Sequence, residues 1–479
     1  MKYILLSGRS ALLFALLSGI ACAEEIKRPD LPLPAQVENA LNQHLTVLNA
    51  SNELRMEHAN QRKWNSGNYE FNLRAGSSQR NIVNTGQNLK EWDVALERPL
   101  RLFNKVGIDE DIGAASVARA EYALGDARHE AGRVLLHLWF AWQREQAQVT
   151  LWQQQVDILK QQAQMTEKRV KAGDAPKLEL NQAQAAAAQA GVSWHQAQLR
   201  AQLAGNDLKR QFPAIQLPEK LPYASDTLLI KPLAIRLGEP TTLAESLVMA
   251  QPADCGRRRG DGIPAPDACA HRVIPSATPQ AVEHDLAFWK LRVLEHNHEL
   301  GMVQEQSRVQ QLLAQRSRAD QLPDPTVGVR YSNEVGGNEK VAGVYVSIPL
   351  SFGQRSATAE RATQQAVIAA DQEAFVKRRL EGDIYAAHTQ AVSSFATWQQ
   401  AQDAALAIRS NAELVAKAYS LGESSLSDSL NARRFALESS LAENLAQLDA
   451  NEARYRLLLD AHQLWPLDER ADDNTHDHY

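Results

Sequence analysis

The sequence has little of several features that would assign it to a class at once. Only 3 of its 479 residues are cysteine and 6% are aromatic, which excludes a disulfide-rich mini-protein. Basic and acidic side chains nearly balance, 51 against 57, and this argues against an electrostatic nucleic-acid binder. Beyond the N-terminus, no apolar run approaches the roughly 20 residues of a membrane-spanning helix. A polytopic helical membrane protein is therefore excluded.

Motifs for catalysis or cofactor binding are also missing. The sequence contains no glycine-rich phosphate loop and no serine at a nucleophile elbow between glycines. His298-Glu299 begins a zinc-hydrolase string, but Met302 stands where the second histidine belongs. His296 and His298 stand two apart on a predicted helix, so we expect them on different faces and assign no metal site. We predict that the protein is not an enzyme, needs no cofactor and binds no nucleic acid.

The first 23 residues are typical of a signal peptide. Basic residues precede an apolar stretch, and small residues at positions 21 and 23 suit cleavage after Ala23. An uncleaved membrane anchor is one alternative. Cys22 allows another, cleavage before it and lipidation, although Gly19 stands where a lipidation signal favours a branched residue. We predict simple cleavage and export.

The other two cysteines, Cys255 and Cys269, lie in a segment over residues 216–282 that is rich in proline and glycine. In an exported protein, an even pair closing a short flexible loop is most often a disulfide. Two free thiols, or a metal site with His271, are the alternatives. We predict a disulfide in a linker between two halves of the chain. Residues 467–479 read as a polar tail, with loose cation binding there as the alternative.

An internal repeat with a period near 250 residues organises the chain. Pro99-Leu100 recurs as Pro349-Leu350, and the sequence around Gly173 recurs around Gly422. Each copy has a helical segment, two short alternating runs and two long helical stretches. The predicted repeats are 24–215, with a strand pair about 68–99 and a helical hairpin about 107–212, and 283–466, with a strand pair about 325–349 and a hairpin about 355–464.

Apolar and polar residues alternate over 69–74, 92–97, 327–331 and 344–348, which predicts strands with one apolar face. Polar hairpin connections are expected around 76–90 and 333–340. The apolar row comprises Tyr69, Phe71, Leu73, Trp92, Val94, Leu96, Val327, Val329, Val344, Val346 and Ile348. The opposite row comprises Glu70, Asn72, Arg74, Asp93, Glu97, Arg330 and Ser347. A soluble, half-buried sheet would fit this alternation equally well.

The helical stretches are unusually long. No proline occurs from about 109 to 171, and such a helix would reach on the order of 90 Å. Alanine and glutamine dominate this stretch and its partner, so close helix approach and wet outer faces are expected. Long coiled-coil hairpins are predicted.

These motifs carry a resemblance to a known family. In each copy a helix, a glycine turn, an acid and an alanine follow in order: Gly173, Glu179 and Ala183, and again Gly422, Asp428 and Ala432. The chain resembles a TolC-like outer-membrane factor, of the outer membrane efflux protein family. Members are exit ducts of tripartite efflux and type I secretion machines. It resembles most the branch that serves heavy-metal cation pumps.

The resemblance implies a mainly helical homotrimer in the outer membrane of a Gram-negative bacterium, with most of the chain in the periplasm. Each protomer would give four strands to a twelve-stranded β-barrel, and the apolar row would face lipid. The long helices would form a periplasmic tunnel that passively conducts substrate delivered by an RND-type inner-membrane pump and a periplasmic adaptor. The adaptor would dock at Ala172, Gly173, Leu421 and Gly422, and the aperture would be lined by Glu179, Tyr419, Asp428 and Asn431.

Several alternatives stay open. The duct could serve multidrug efflux or type I secretion, and a non-transporting periplasmic coiled-coil scaffold is a further candidate. Glu179 and Asp428 could simply be favourable acids in the first turn of a helix. Ser424 stands where the best-known family member has an arginine, so a closed-state contact through that arginine is not expected here.

Overall fold

The computed structural model describes residues 30–67, 69–101, 104–218, 279–350 and 353–465. The predicted signal peptide with Cys22, the Cys255–Cys269 pair, most of the linker and the polar tail lie outside the described residues. Among the described helices, none combines the length and apolar character of a membrane span.

The described elements come in the same order in the two halves of the chain. The first half has α1 (Pro34–Asn42), α2 (Leu45–Ser66), β1 (Asn72–Ile82), β2 (Gln87–Pro99), α3 (Lys105–Ala172) and α4 (Lys177–Gln211). The second has α5 (Leu286–Glu295), α6 (His298–Ala319), β3 (Thr326–Glu334), β4 (Glu339–Ser347), α7 (Gly353–Ser420) and α8 (Leu426–Asp460). The single helix expected before each strand pair is in fact two helices.

The break between α5 and α6 corrects the expectation for His296 and His298. The Asn297 side chain accepts a hydrogen bond from the Leu300 backbone N–H at 2.8 Å and so starts a new helix. His296 therefore caps the C-terminus of α5, whereas His298 is the first residue of α6. The two side chains project from different helices, so their two-residue spacing does not set their relative directions.

The long helices pack as two antiparallel hairpins, α3 with α4 and α7 with α8. α3 and α7 each have 68 residues, which corresponds to about 100 Å at 1.5 Å per residue. Buried residues recur at heptad spacing: Ala183, Ala190 and Ala197 on α4, and Ala391, Trp398, Ala405 and Ala412 on α7. A seven-residue repeat of buried positions keeps one seam against the partner helix, as in a coiled coil.

The four strands form one antiparallel sheet in the order β1-β2-β3-β4, so β1 and β4 are its edges. The strands of the first pair are longer than alternation indicated. β1 continues through Gly76 to Ile82, where Ile82 pairs with Gln87, and only residues 83–86 form the connection. The expected connection over 76–90 was therefore too long. Polar residues remain in strand conformation there because the backbone of β2 supplies their hydrogen bonds.

An ionic cluster joins the sheet to the helices. The Lys105 ammonium, fully buried at the start of α3, lies 2.8 Å from Asp324 and 3.1 Å from Asp320, in the segment between α6 and β3. Asp109, one turn further along α3, accepts from Arg101 at 3.1 Å and from Arg316 at 2.6 Å. Because these contacts link the two halves of the chain, they fix how the sheet sits on the helical body.

Candidate functional site at the hairpin tips

Both long hairpins turn at a glycine in the left-handed conformation. Gly173 has φ 83° and Gly422 has φ 81°, a backbone conformation that residues with a Cβ seldom adopt. At each turn, backbone N–H groups after the helix donate hydrogen bonds to its last carbonyls. The Asp174 N–H donates to the Arg169 carbonyl at 2.9 Å, and the Glu423 N–H donates to the Ala418 carbonyl at 3.0 Å. The two turns at which the family resemblance implies adaptor docking therefore share one backbone geometry, and Ala172 and Leu421 precede these glycines.

Asp428 is bound to the start of its own helix. The Ser425 hydroxyl donates to the Asp428 carboxylate at 2.7 Å and accepts from the Asp428 backbone N–H at 3.1 Å, which forms a capping box. These hydrogen bonds with the Ser425 side chain and backbone hold the pKa of Asp428 below its ordinary value. The capping role raised from the sequence as the alternative is thus present in the structure.

Glu179 makes a different contact, across the two hairpins. The Tyr419 hydroxyl, in the last turn of α7, donates to Oε2 of Glu179 at 3.2 Å. The same hydroxyl accepts from Nη1 of Arg169 at 2.9 Å, and the Arg169 guanidinium lies 5.4 Å from the centre of the tyrosine ring. Burial raises the pKa of Tyr419, and Glu179 acts in the same direction, whereas Arg169 opposes it. The phenol therefore stays protonated and able to donate at neutral pH.

The structure thus brings together two of the four predicted aperture residues, Glu179 and Tyr419. Asn431 is exposed on α8. The contact of Arg169 with Tyr419 was not predicted from the sequence; the available signal was a basic residue in the last turn of α3, four residues before Gly173. This arginine, and not one after Gly422, contacts the tyrosine. Although Ser424 replaces the arginine expected after Gly422, Tyr419 still has an arginine partner, Arg169 from the other hairpin.

A groove of about 630 Å³ lies beside this contact, between α3, α7 and α8. Thr166, Arg169, Tyr419 and Arg433 contribute to its walls. The Nε atom of Arg433 is buried without a hydrogen-bond partner, and burial lowers the pKa of this guanidinium. No sequence pattern marks Arg433, because its burial depends on the packing of both hairpins.

The register of the sheet gathers the predicted apolar row on one face. Leu73 pairs with Leu96, Leu96 with Val329, and Val329 with Val344, and residues paired across strands project to the same face. This face is exposed: Leu73 is 72% and Val344 85% accessible. The face also carries Trp92, Val94, Val327 and Val346. Tyr69 and Phe71 precede β1, Ile348 follows β4, and the Tyr69 hydroxyl donates to Asp324 at 3.0 Å.

The other face of the sheet is polar. Arg74, Asp93, Glu97 and Arg330 project from it, and Asp93 lies 3.8 Å from Arg330. Asn72 and Ser347 share this face, at the ends of β1 and β4. An exposed apolar face opposite a charged face is the reverse of the arrangement in a soluble protein, which buries its apolar side.

Comparisons with known proteins find one matching family model and several solved structures of similar fold. Residues 36–211 match the model of the outer membrane efflux protein family. The fold resembles the CmeC outer membrane channel of Campylobacter jejuni, with 16% identity and a TM-score of 0.64 over 91% of this chain and 86% of that one. It also resembles the outer membrane protein VceC of Vibrio cholerae, with 14% identity and a TM-score of 0.64 over 89% and 95% of the two chains.

A third solved structure, the open state of the MtrE outer membrane channel of Neisseria gonorrhoeae, matches with 15% identity and a TM-score of 0.54 over 91% of this chain and 90% of that one. No curated protein matches in a direct sequence comparison. The chain therefore has the fold of these outer-membrane channels over nearly its whole described length.

Proposed function

We propose that the chain belongs to the outer membrane efflux protein family and forms the exit duct of a tripartite RND-type efflux system. One observation carries the proposal: a four-stranded sheet with an exposed apolar face continues into helices of about 100 Å. Such a sheet suits the outer membrane, and such helices suit a passage across the periplasm. The family-model match and the shared fold support this function.

The duct is a homotrimer in this proposal. β1 and β4 are sheet edges, and lipid offers no hydrogen bonds to the backbone groups of an edge. Pairing of β1 with β4 of a neighbouring copy closes the sheet, and three copies give twelve strands. The apolar face then contacts lipid, and the face with Arg74, Asp93, Glu97 and Arg330 lines a watery lumen.

At the other end, the tips at Ala172, Gly173, Leu421 and Gly422 dock a periplasmic adaptor, and Glu179, Tyr419, Asp428 and Asn431 surround the aperture. Substrate delivered by the pump passes without any chemistry by the duct. We propose heavy-metal cations as the substrate, supported by the resemblance in sequence and by the carboxylates near the tip, since acidic rings attract cations.

Localisation tests the duct directly. A heat-resistant trimer in the outer-membrane fraction that conducts ions in planar bilayers is expected. A soluble periplasmic protein without conductance would instead establish the scaffold alternative.

Growth of a deletion strain tests the substrate. The strain, with and without the restored gene, is exposed to zinc, cobalt, cadmium, nickel, copper and silver salts, and to dyes and antibiotics. Selective metal sensitivity cured by the gene is expected. Sensitivity to dyes and antibiotics alone would contradict the metal assignment and move the duct to a multidrug pump.

The aperture is tested by conductance. Replacing Glu179 and Asp428 together by alanine should raise conductance or weaken cation preference, because both carboxylates are lost from the constriction. Asp403→Ala, at an exposed position in α7, is the matched control and should change neither property. Unchanged conductance and selectivity in the double variant would remove these residues from the aperture.

A further inference from the structure

We propose that the groove beside the hairpin tips is a binding site for a carboxylate group, anchored by Arg433 and supplied by an acidic side chain of the protein that docks there. The groove, of about 630 Å³, lies between the ends of α3 and α7 and the first turns of α8. The binding site itself concerns this chain alone. The source of the carboxylate rests on the proposed function, in which the tips dock a periplasmic adaptor.

Arg433 is a partly buried cation without an anion. Its Nε atom is buried and has no hydrogen-bond partner. No carboxylate of the described residues forms an ion pair with this guanidinium, and burial alone lowers its pKa. A charge taken out of water is costly unless an opposite charge pairs with it. An anion that reached this guanidinium would remove that cost.

Other partly buried arginines of the same fold do have carboxylate partners. Arg133 lies 2.9 Å from Asp460, and Arg144 lies 2.8 Å from Asp449. In both cases neighbouring carboxylates raise the pKa of the guanidinium above its ordinary value, although burial opposes this shift. The comparison indicates that the partner of Arg433 comes from outside the chain.

The rest of the groove is also cationic. Lys168 and Arg169 line it together with Arg433, and Asp174 is the one acidic residue among the described residues of its walls. Arg169 donates to the Tyr419 hydroxyl at 2.9 Å and to the Asp174 backbone carbonyl at 3.4 Å, and neither acceptor neutralises its charge. A concave surface of one sign of charge attracts groups of the opposite sign.

The shape of the guanidinium and the nearby donors favour a carboxylate among anions. The planar fork of an arginine can donate two parallel hydrogen bonds to the two oxygens of one carboxylate. Ser429, one turn before Arg433 on α8, contributes a hydroxyl to the wall, and Gln161 and Gln164 of α3 contribute amides. These groups can donate further hydrogen bonds to the same anion.

The size of the groove and its apolar lining favour a side chain carried on a protein surface. The groove is larger than a single carboxylate group, and Met165 and Leu421, which also line it, are 43% and 66% exposed. A small free anion would leave these two side chains in water. An acidic residue on a partner's helical turn would cover them and place its charge at Arg433, which combines apolar contact with charge complementarity.

Titration of the purified full-length protein with citrate, in chloride buffer at constant ionic strength, tests the site by calorimetry. The wild type should bind citrate. Arg433→Gln should weaken the affinity at least about tenfold, because the charge-assisted hydrogen bonds are lost. Arg434→Gln is the matched control, since this exposed neighbour on α8 faces Glu438 at 3.8 Å, and it should bind citrate like the wild type.

The thermal midpoint gives a second readout. Without citrate, Arg433→Gln should melt at a higher temperature than the wild type, because the variant no longer buries an unpaired charge. Addition of citrate should raise the midpoint of the wild type and of Arg434→Gln, but not that of Arg433→Gln. Absence of citrate binding by the wild type, or equal effects of citrate on all three proteins, overturns the site and leaves the duct untouched.

Cross-linking in cells tests the source of the carboxylate. The photoreactive residue p-benzoylphenylalanine in place of Met165 should cross-link to a periplasmic protein, at a peptide that contains Asp or Glu. Replacing that acid by lysine should abolish the cross-link, and Arg433→Glu in this chain should restore it. No cross-link, a peptide without an acid, or no restoration by the charge exchange overturns the docked carboxylate. A failure of the duct itself would appear separately, in the localisation and conductance measurements.

Discussion

The Tyr455 hydroxyl donates to the carboxylate of Asp30 at 2.8 Å, although the two residues are 425 positions apart. The backbone carbonyl of the same Asp30 accepts from the Trp139 indole and the Gln143 amide, both at 2.7 Å. The segment before α1 is thereby attached to the middle of α3 and to the end of α8. The three side chains donate to a residue with no solvent exposure, where water cannot replace a lost hydrogen bond.

Replacing Tyr455 by phenylalanine should therefore destabilise the protein by about 1–3 kcal/mol, because the Asp30 carboxylate loses a donor inside the core. Thermal unfolding of the purified protein measures the effect. Tyr385→Phe, at an exposed position of α7, is the control and should leave the midpoint unchanged. Equal midpoints for both variants would show that the contact contributes nothing to stability.

Lys105→Met should be more damaging, at about 3–5 kcal/mol, because Asp320 and Asp324 would lose the buried cation between them. The exposed Lys377→Met variant on α7 provides the comparison. Denaturant unfolding should separate the two variants clearly. A loss below about 1 kcal/mol for Lys105→Met, typical of surface ion pairs, would contradict the buried network.

Two glycine-to-alanine changes should act in opposite directions. Gly173→Ala forces a Cβ into φ 83° and should cost about 1 kcal/mol, although nothing crowds the new atom. Gly191→Ala, in the interior of α4 with open space around it, should stabilise by up to about 1 kcal/mol through helix propensity. Thermal midpoints of the pair measure this difference. A midpoint that rises in both variants would refute the conformational explanation of the turn.

Tyr419→Phe should loosen the contact between the hairpin tips, because the hydroxyl is the shared partner of Arg169 and Glu179. Within the proposed duct, the expected result is a higher single-channel conductance in planar bilayers. Tyr385→Phe, the same change at an exposed position of α7, is again the control and should leave the conductance unchanged. An unchanged conductance in Tyr419→Phe would mean that this hydroxyl does not restrain the aperture.

The capping box makes a pH-dependent prediction. The pKa of Asp428 is lower in the folded protein than its ordinary 3.8, so the stability that this carboxylate contributes is present above 3.8 and lost as the pH falls through the lowered value. Asp428→Asn should therefore lower the thermal midpoint at pH 7, and the difference from the wild type should shrink near pH 3. Asp403→Asn should show no such trend. A difference that stayed constant with pH would exclude the ionised cap.

Sequence periodicity predicted the long helices and the glycine turns well, because both depend on neighbouring residues. The coarse extent of α3 follows from the absence of proline, and Gly173 and Gly422 end helices for a local conformational reason. The strands were predicted at the right places but too short. Residues such as Gly76 carry no alternation signal, and their conformation follows from the partner strand.

The candidate site residues show the same difference between what neighbouring residues determine and what distant packing determines. Glu179 and Asp428 could be found from their spacing after a glycine, yet the sequence could not tell that one would bind Tyr419 and the other its own helix cap. That difference depends on packing between the two hairpins, since Glu179 and Tyr419 are 240 residues apart in the sequence.

The sequence by itself therefore determined the helices, the two turns and the apolar row of the strands, since each arises from interactions within a few residues or from a simple period. Only the tertiary structure decided that Arg169 would meet Tyr419 and that His298 would approach His462. Contacts of that kind form when separate helices pack, and they depend on residues such as Gly125, whose lack of a Cβ leaves room for the His298 ring.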